Sequence, residues 1–163
     1  GELVHVLVNH WSSRREGVQE TEHKRITAAE TVRNIIDKIN TKEMSPKIII
    51  MGDFNDDPTC KSVQHHMVKD DFYNPMKKLL ESEKRGTLTF NGKWNLFDQI
   101  IFSNNFLKKE EGKFYFKKAE VFNRDWMKIY KGKFKGSPFR TYIGKWYQGG
   151  FSDHFPIVIR LKL

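Results

Sequence analysis

The chain has 163 residues, 38% of them hydrophobic and 13% aromatic, enough for one globular domain. No apolar stretch approaches the roughly 20 residues of a membrane helix, and the single cysteine, Cys60, excludes internal disulfides and cysteine-rich zinc sites. A formal net charge of +9 favours polyanionic partners, nucleic acid first, then anionic lipid or an inositol phosphate, although a lysine-rich solvated surface would carry the same charge.

Residues 2–9 read as a strand, and residues 11–17 as a loop. From about Glu20 to Asn40 the apolar positions Ile26, Ala29, Val32, Ile35, Ile36 and Ile39 have helical spacing, with one stripe to lay on a sheet. Thr41 to Pro46 breaks that helix. Lys47 to Met51 is then a short apolar strand of the kind buried on both faces. The three pieces make a β-α-β unit, and open α/β sheets place ligands at the carboxyl ends of such strands. A helix is expected over 61–68 and a shorter one over 75–82. Residues 87–90 and 94–102 read as two strands joined by Asn91-Gly92, a hairpin signal. Residues 113–122 fit a strand or a helix edge. Residues 124–150 read as a long loop with one helical turn, and residues 155–161 as the last strand.

Lysines cluster at 108–118 and 128–135 among Phe114, Tyr115, Phe116, Trp126, Tyr130 and Phe134. Basic residues interleaved with aromatic ones suit flexible or single-stranded nucleic acid. They suit an ordinary amphipathic hairpin equally. Residues 1–20 lack the basic-then-apolar order of a secretory leader. The chain opens on Gly1, so the expectation is that the natural N-terminus has been removed or lies upstream, and the compartment stays open, an extracytoplasmic one included.

Four strands deliver polar, phosphate-competent residues, three at one end and the fourth, Asp98, inside the run Trp94 to Phe102. Asp53 and Asn55, in Gly52-Asp53-Phe54-Asn55, face one side if that segment is extended, with Phe54 turned to the core. A carboxylate and a carboxamide side by side can accept a water's proton and donate to a phosphate oxygen. A polar turn after a strand would look the same. Ser152-Asp153-His154 joins an acid suited to a hard cation to an imidazole suited to a phosphate oxygen, or is a surface turn. His10 lies at the end of the first strand, whereas His5 lies inside it and reads as structural. Asp98, flanked by Leu96, Phe97, Ile100 and Ile101, needs a partner because an unpaired buried charge is costly. A histidine is the natural one. Asp56 and Asp57 read as caps of the following turn, and His65-His66 as solvated surface. Arg14, Arg15, Arg25 and Arg140 are weaker phosphate contacts.

In order, Asn9-His10, Gly52-Asp53-Phe54-Asn55, Asp98-Gln99-Ile100 and Ser152-Asp153-His154 resemble the endonuclease/exonuclease/phosphatase superfamily, which includes DNase I, abasic-site endonucleases, sphingomyelinases and inositol polyphosphate 5-phosphatases. The resemblance spans residues 9–154. It implies a DNase I-like four-layer α/β sandwich, metal-dependent phosphoester hydrolysis, and Mg²⁺ as cofactor, with Mn²⁺ and Ca²⁺ as alternatives. By resemblance, Asp53 orients and deprotonates the attacking water, Asn55 steadies the nucleophile or a phosphate oxygen, and Asp153 belongs to the metal site. His154 contacts the phosphate and pairs with Asp98, and His10 contacts the phosphate too.

One departure stands out. The family's first half supplies an Asn and a Glu, the Glu being the principal metal ligand, and nothing before Asn9 matches them. The chain therefore resembles the second half of the sandwich, a single, partial domain over residues 1–163 built on one mixed sheet with flanking helices. Two expectations follow: the missing half is a partner, or the chain self-associates through the sheet face that half would cover; and the chain alone is weak or inactive. The leading function is a phosphodiesterase or nuclease. The alternatives are a phosphoesterase for phospholipid head groups or inositol phosphates, and a non-catalytic binding module that keeps the fold.

Overall fold

A computed structural model describes residues 1–83, 86–90 and 92–163. The elements in chain order are β1 (Val4–His10), α1 (Glu22–Asn40), β2 (Lys47–Asp53), a π-helix (Ser62–Val68), β3 (Phe72–Tyr73), α2 (Met76–Glu83), β4 (Leu88–Phe90), β5 (Lys93–Asn95), β6 (Asp98–Ser103), a 3-10 turn (Asn104–Leu107), β7 (Tyr115–Val121), a second 3-10 turn (Asp125–Met127), β8 (Tyr142–Ile143), β9 (Trp146–Tyr147) and β10 (Ile157–Lys162).

The main sheet is mixed, in the order β1-β2-β6-β3. β1 and β2 are parallel and joined through α1, which makes the expected β-α-β unit; β6 runs antiparallel to both β2 and β3. The period of two along β2 explains its unbroken apolar run. Ile48 and Ile50 turn to a cluster with Ala29, Val32 and Ile36 of α1 and Val63 and Met67 of the π-helix. Ile49 turns the other way, with Ile100 and Phe102 of β6, into a second cluster that includes Val121, Phe155, Ile157 and Ile159. The antiparallel pair β7-β10 thus lies against the second face. The layers are helix, four-stranded sheet, two-stranded sheet.

That second layer corrects the size of the bare face expected from sequence. β7 and β10 cover the centre of the main sheet, and the exposed remainder is a strip on the edge strand β1, where Val6 and Val8 are 51% and 77% exposed.

The chain departs from the sequence expectations elsewhere too. The run 94–102 is not one strand. β5 pairs with β4, while β6 joins the main sheet. The break is held by Asp57, whose carboxylate accepts Leu96 N at 2.6 Å, and by Phe97, whose carbonyl accepts Phe54 N at 2.8 Å. Of the expected Asn91-Gly92 turn, Asn91 lies outside the described residues. Residues 113–122 resolve in favour of a strand, β7. Within 124–150, β8 and β9 form a two-residue-a-side hairpin that the loop reading did not contain.

Candidate active site

The register of the main sheet aligns three of the sequence-predicted residues in one row. His10 of β1 is the direct cross-strand partner of Asp53 in β2, and Asp53 is the direct partner of Asp98 in β6. Neighbouring strands lie about 4.8 Å apart, so the three Cα atoms span about 10 Å along one sheet edge. His154 closes the row from the segment before β10, its Nδ1 lying 2.7 Å from Asp98 Oδ2.

Local structure explains why Asp53 stands there. Gly52 precedes it with φ +135°, and a Cβ at that position would fall 1.9 Å from the carbonyl oxygen of Asn9. Only glycine lets the two parallel strands approach this closely at their ends. Phe54 is then fully buried against Trp11, ring centroids 4.6 Å apart, which fixes the chain on the far side of the carboxylate. Asp53 Oδ1 accepts Asn55 N at 2.8 Å, and Oδ2 lies 3.7 Å from His10 Nε2.

Asn55 differs from the extended reading. Its φ is +50°, so it belongs to a left-handed turn and does not share a face with Asp53 by strand alternation. Its Nδ2 donates to Trp11 O at 3.0 Å, and one of its two amide N–H groups is thereby engaged.

Both Asp53 and His154 are shifted upward, for different reasons. Burial raises the Asp53 carboxyl above the ordinary aspartate value and the nearby Asp98 adds to this, while the Asn55 N–H and the charges of His154 and His10 oppose it. For His154, burial works against the cation, but the hydrogen bond and charge of Asp98, with help from Asp53 and Asp153, lift it above the ordinary imidazole value. The Asp98 contact also fixes the ring. With Nδ1 held by the carboxylate, Nε2 is the nitrogen that remains for a ligand. Both side chains are about four-fifths buried, and His10 is largely exposed.

The remaining predicted residues lie apart from the row. Arg14 turns to Asp56, with Nη2 2.5 Å from Oδ1, and its Nε donates to Asn55 O at 2.7 Å. Its guanidinium also stacks on Phe97, 4.5 Å from the centroid. Arg25 is fully buried. Its Nε is 2.7 Å from Asp56 Oδ2, an ion pair whose N–H points off the line of a hydrogen bond. Asp56 is therefore no simple turn cap: it is a buried carboxylate between two arginines and Ser62. Arg15 is exposed, and Arg140 donates to Thr89 O at 3.0 Å.

Asp153 is exposed. Mg²⁺ asks for about six oxygen ligands, several of them waters or phosphate oxygens around one or two carboxylates. Among the described residues no group of three or more His, Cys, Asp or Glu side chains is placed to hold a metal ion. The donor set described here therefore does not fit a resident cation by itself.

Thr87 escaped the sequence reading. Its hydroxyl accepts Asp98 N at 3.4 Å and its carbonyl accepts Phe155 N at 2.7 Å, so one residue holds the backbone beside both members of the Asp98–His154 pair. Neighbouring Gly86 carried the only signal: a Cβ there would meet Asn95 O at 1.8 Å.

Comparison with known proteins follows the same lines. A sequence profile of the endonuclease/exonuclease/phosphatase family matches residues 1–163, and the chain belongs to that family. Solved structures share the fold. Truncated TDP2 of Caenorhabditis elegans is 16% identical, with a TM-score of 0.56 over 96% of this chain and 53% of its own. The mannosyl-6-phosphatase of Bacteroides thetaiotaomicron VPI-5482 is 20% identical, with a TM-score of 0.52 over 86% of this chain and 46% of its own. D. rerio TDP2 complexed with a single-strand DNA product is 14% identical, with a TM-score of 0.55 over 97% and 56%. The chain thus spans about half the length of these structures. Among curated proteins none matches significantly.

Proposed function

We propose that the row His10–Asp53–Asp98–His154 is the proton-transfer and phosphate-binding side of a site that hydrolyses a phosphodiester, with nucleic acid as the substrate class. The observation that carries this reading is the register. Three adjacent strands and the Ser152-Asp153-His154 segment bring a base and a fixed imidazole to one edge. A carboxylate with a raised pKa is a stronger general base for water at neutral pH. Asp53 is in this reading the group that takes the proton. His154, kept cationic by Asp98, donates from Nε2 to a non-bridging phosphate oxygen. There it stabilises charge that grows in the transition state. His10, exposed beside Asp53, supplies a second contact to the phosphate, and the free amide N–H of Asn55 a third.

Divalent-metal dependence is part of the proposal through the family alone. Asp153 is the residue offered to such an ion, its other ligands come from outside the described set, and no step above passes through it. Nucleic acid is favoured by the +9 charge and by the single-strand DNA product bound to a fold relative. The phosphatase among those relatives favours a second reading, a phosphomonoesterase of small phosphorylated compounds, lipid head groups and inositol phosphates included.

The test is hydrolysis by the purified protein of a labelled single-stranded oligonucleotide and of mannose 6-phosphate, with Mg²⁺. Asp53→Asn and His154→Ala are each expected to lower kcat by at least about 100-fold on the preferred substrate. Turnover that survives both substitutions would remove the proposal, and a preference for the monoester would transfer it to the second reading.

A further inference from the structure

A cavity of about 710 Å³ lies between the β4–β5 ladder and residues 129–143, on segments that the proposed function leaves unused. One wall is the β4–β5 ladder, where Thr89 faces Trp94; the other comes from Lys133, Phe134, Lys135 and Arg140. Among the described residues three cations line it and no acid does. Among the described residues none of the three forms an ion pair. Arg140 spends one of its five N–H donors on Thr89 O, which fixes the guanidinium at the wall and leaves the rest for a ligand. Phe134 is 53% exposed, with Lys133 Nζ 5.8 Å from its ring centroid. Uncompensated cations around accessible ring faces suit a ligand that is anionic and planar at once.

The cavity's position ties it to the row. Thr87 holds the backbone of Asp98 and Phe155, and Thr89 lies two residues further along the same stretch. At about 3.3 Å per residue that is a step of about 7 Å. The second wall residue, Trp94, stacks on Phe155, the neighbour of His154. The β4 stretch and the Trp94–Phe155 stack are the links on which the cavity is read as the seat of the unit next to a phosphate at His154.

We propose that the cavity is a subsite for an unpaired nucleotide of single-stranded nucleic acid, its base stacked on Phe134 and Trp94 and its flanking phosphates on Lys133, Lys135 and Arg140. The proposal rests on the preceding reading for the identity of the neighbouring phosphate centre. A duplex keeps its base faces covered and cannot present one to the two rings. A lipid head group would use the cations and leave the rings unused.

Fluorescence anisotropy of a labelled 12-nucleotide oligothymidine, titrated with the whole chain in EDTA, tests this without turnover. Phe134→Ala, a surface change, is expected to weaken binding about tenfold. The pair Lys133→Ala and Lys135→Ala is expected to reduce the slope of log K against log[salt] by about 1.4, two phosphates at about 0.7 each. Lys61→Ala, outside the cavity, should match the wild type. Binding by Phe134→Ala within twofold of the wild type would overturn the proposal. So would equal affinity for the duplex, or loss of affinity for phosphatidylserine vesicles in variants that still bind the oligonucleotide. Because binding is read in EDTA, a chain that binds in this pattern leaves the subsite standing whatever the outcome of the hydrolysis assay.

Discussion

Asp53 carries a conflict between stability and chemistry. Its carboxyl is raised above the ordinary value, chiefly by burial. The folded state therefore holds this proton more tightly than the unfolded chain does. Stability from this group is present at low pH and is lost as pH rises from the ordinary aspartate value through the raised one. At neutral pH the ionised carboxylate is a cost. Asp53→Asn is expected to melt no lower than the wild type at pH 7, because an amide oxygen can still accept Asn55 N, while activity falls. A lower melting temperature by calorimetry would show that the carboxylate stabilises the fold. Gly52 is the opposite case. With φ +135° and a backbone carbonyl 1.9 Å from where a Cβ would sit, Gly52→Ala is expected to cost about 3 kcal/mol or more in urea unfolding. A loss below 1 kcal/mol would mean that β1 and β2 part easily at their ends.

At the scale of elements, the turn after β2 is held by charge buried with it. Asp56 is 2% exposed and Arg25 fully buried, and Arg14 ties the same carboxylate to the carbonyl of Asn55. Removing one member leaves uncompensated charge inside the protein. Asp56→Ala is expected to lose about 3–5 kcal/mol of stability by denaturant unfolding. A loss within 1 kcal/mol would show that water reaches both arginines. This cluster also marks where sequence reading stops. The unbroken apolar run of β2 told where Asp53 would stand, because burial on both faces leaves its mark in every residue from Ile48 to Met51. Nothing in the spacing told that Arg14 and Arg25, 42 and 31 positions before Asp56, would converge on it. The same limit applied to Asn55. A strand rule placed it beside Asp53, but the chain had already left the strand in a left-handed turn. The β8–β9 hairpin was hidden for another reason: two residues a side are too few to show alternation.

For the whole molecule, the layering follows from apolar strands buried on both faces, and the site follows from the register that packs them. That much was legible, and so was the family, since each short motif sits where a strand ends. The metal was not. The described residues offer no group of three ligating side chains. Calorimetric titration of this chain with Mg²⁺ is therefore expected to show no saturable site tighter than about 10⁻³ M, the weak end of hard-cation sites. A stoichiometric site well below that would mean that Asp153 and its neighbours rearrange around the ion.

The central claim is that His154 stands as a cation held by Asp98 next to the base. Titration of the His154 Cε1–H resonance by NMR measures it directly, with and without Asp98→Asn. A midpoint above the ordinary imidazole value of about 6.5 is expected in the wild type. In Asp98→Asn burial acts without its counterweight, and the midpoint should fall below that of the wild type. A wild-type midpoint at or below the ordinary value, unmoved by the substitution, would contradict the account.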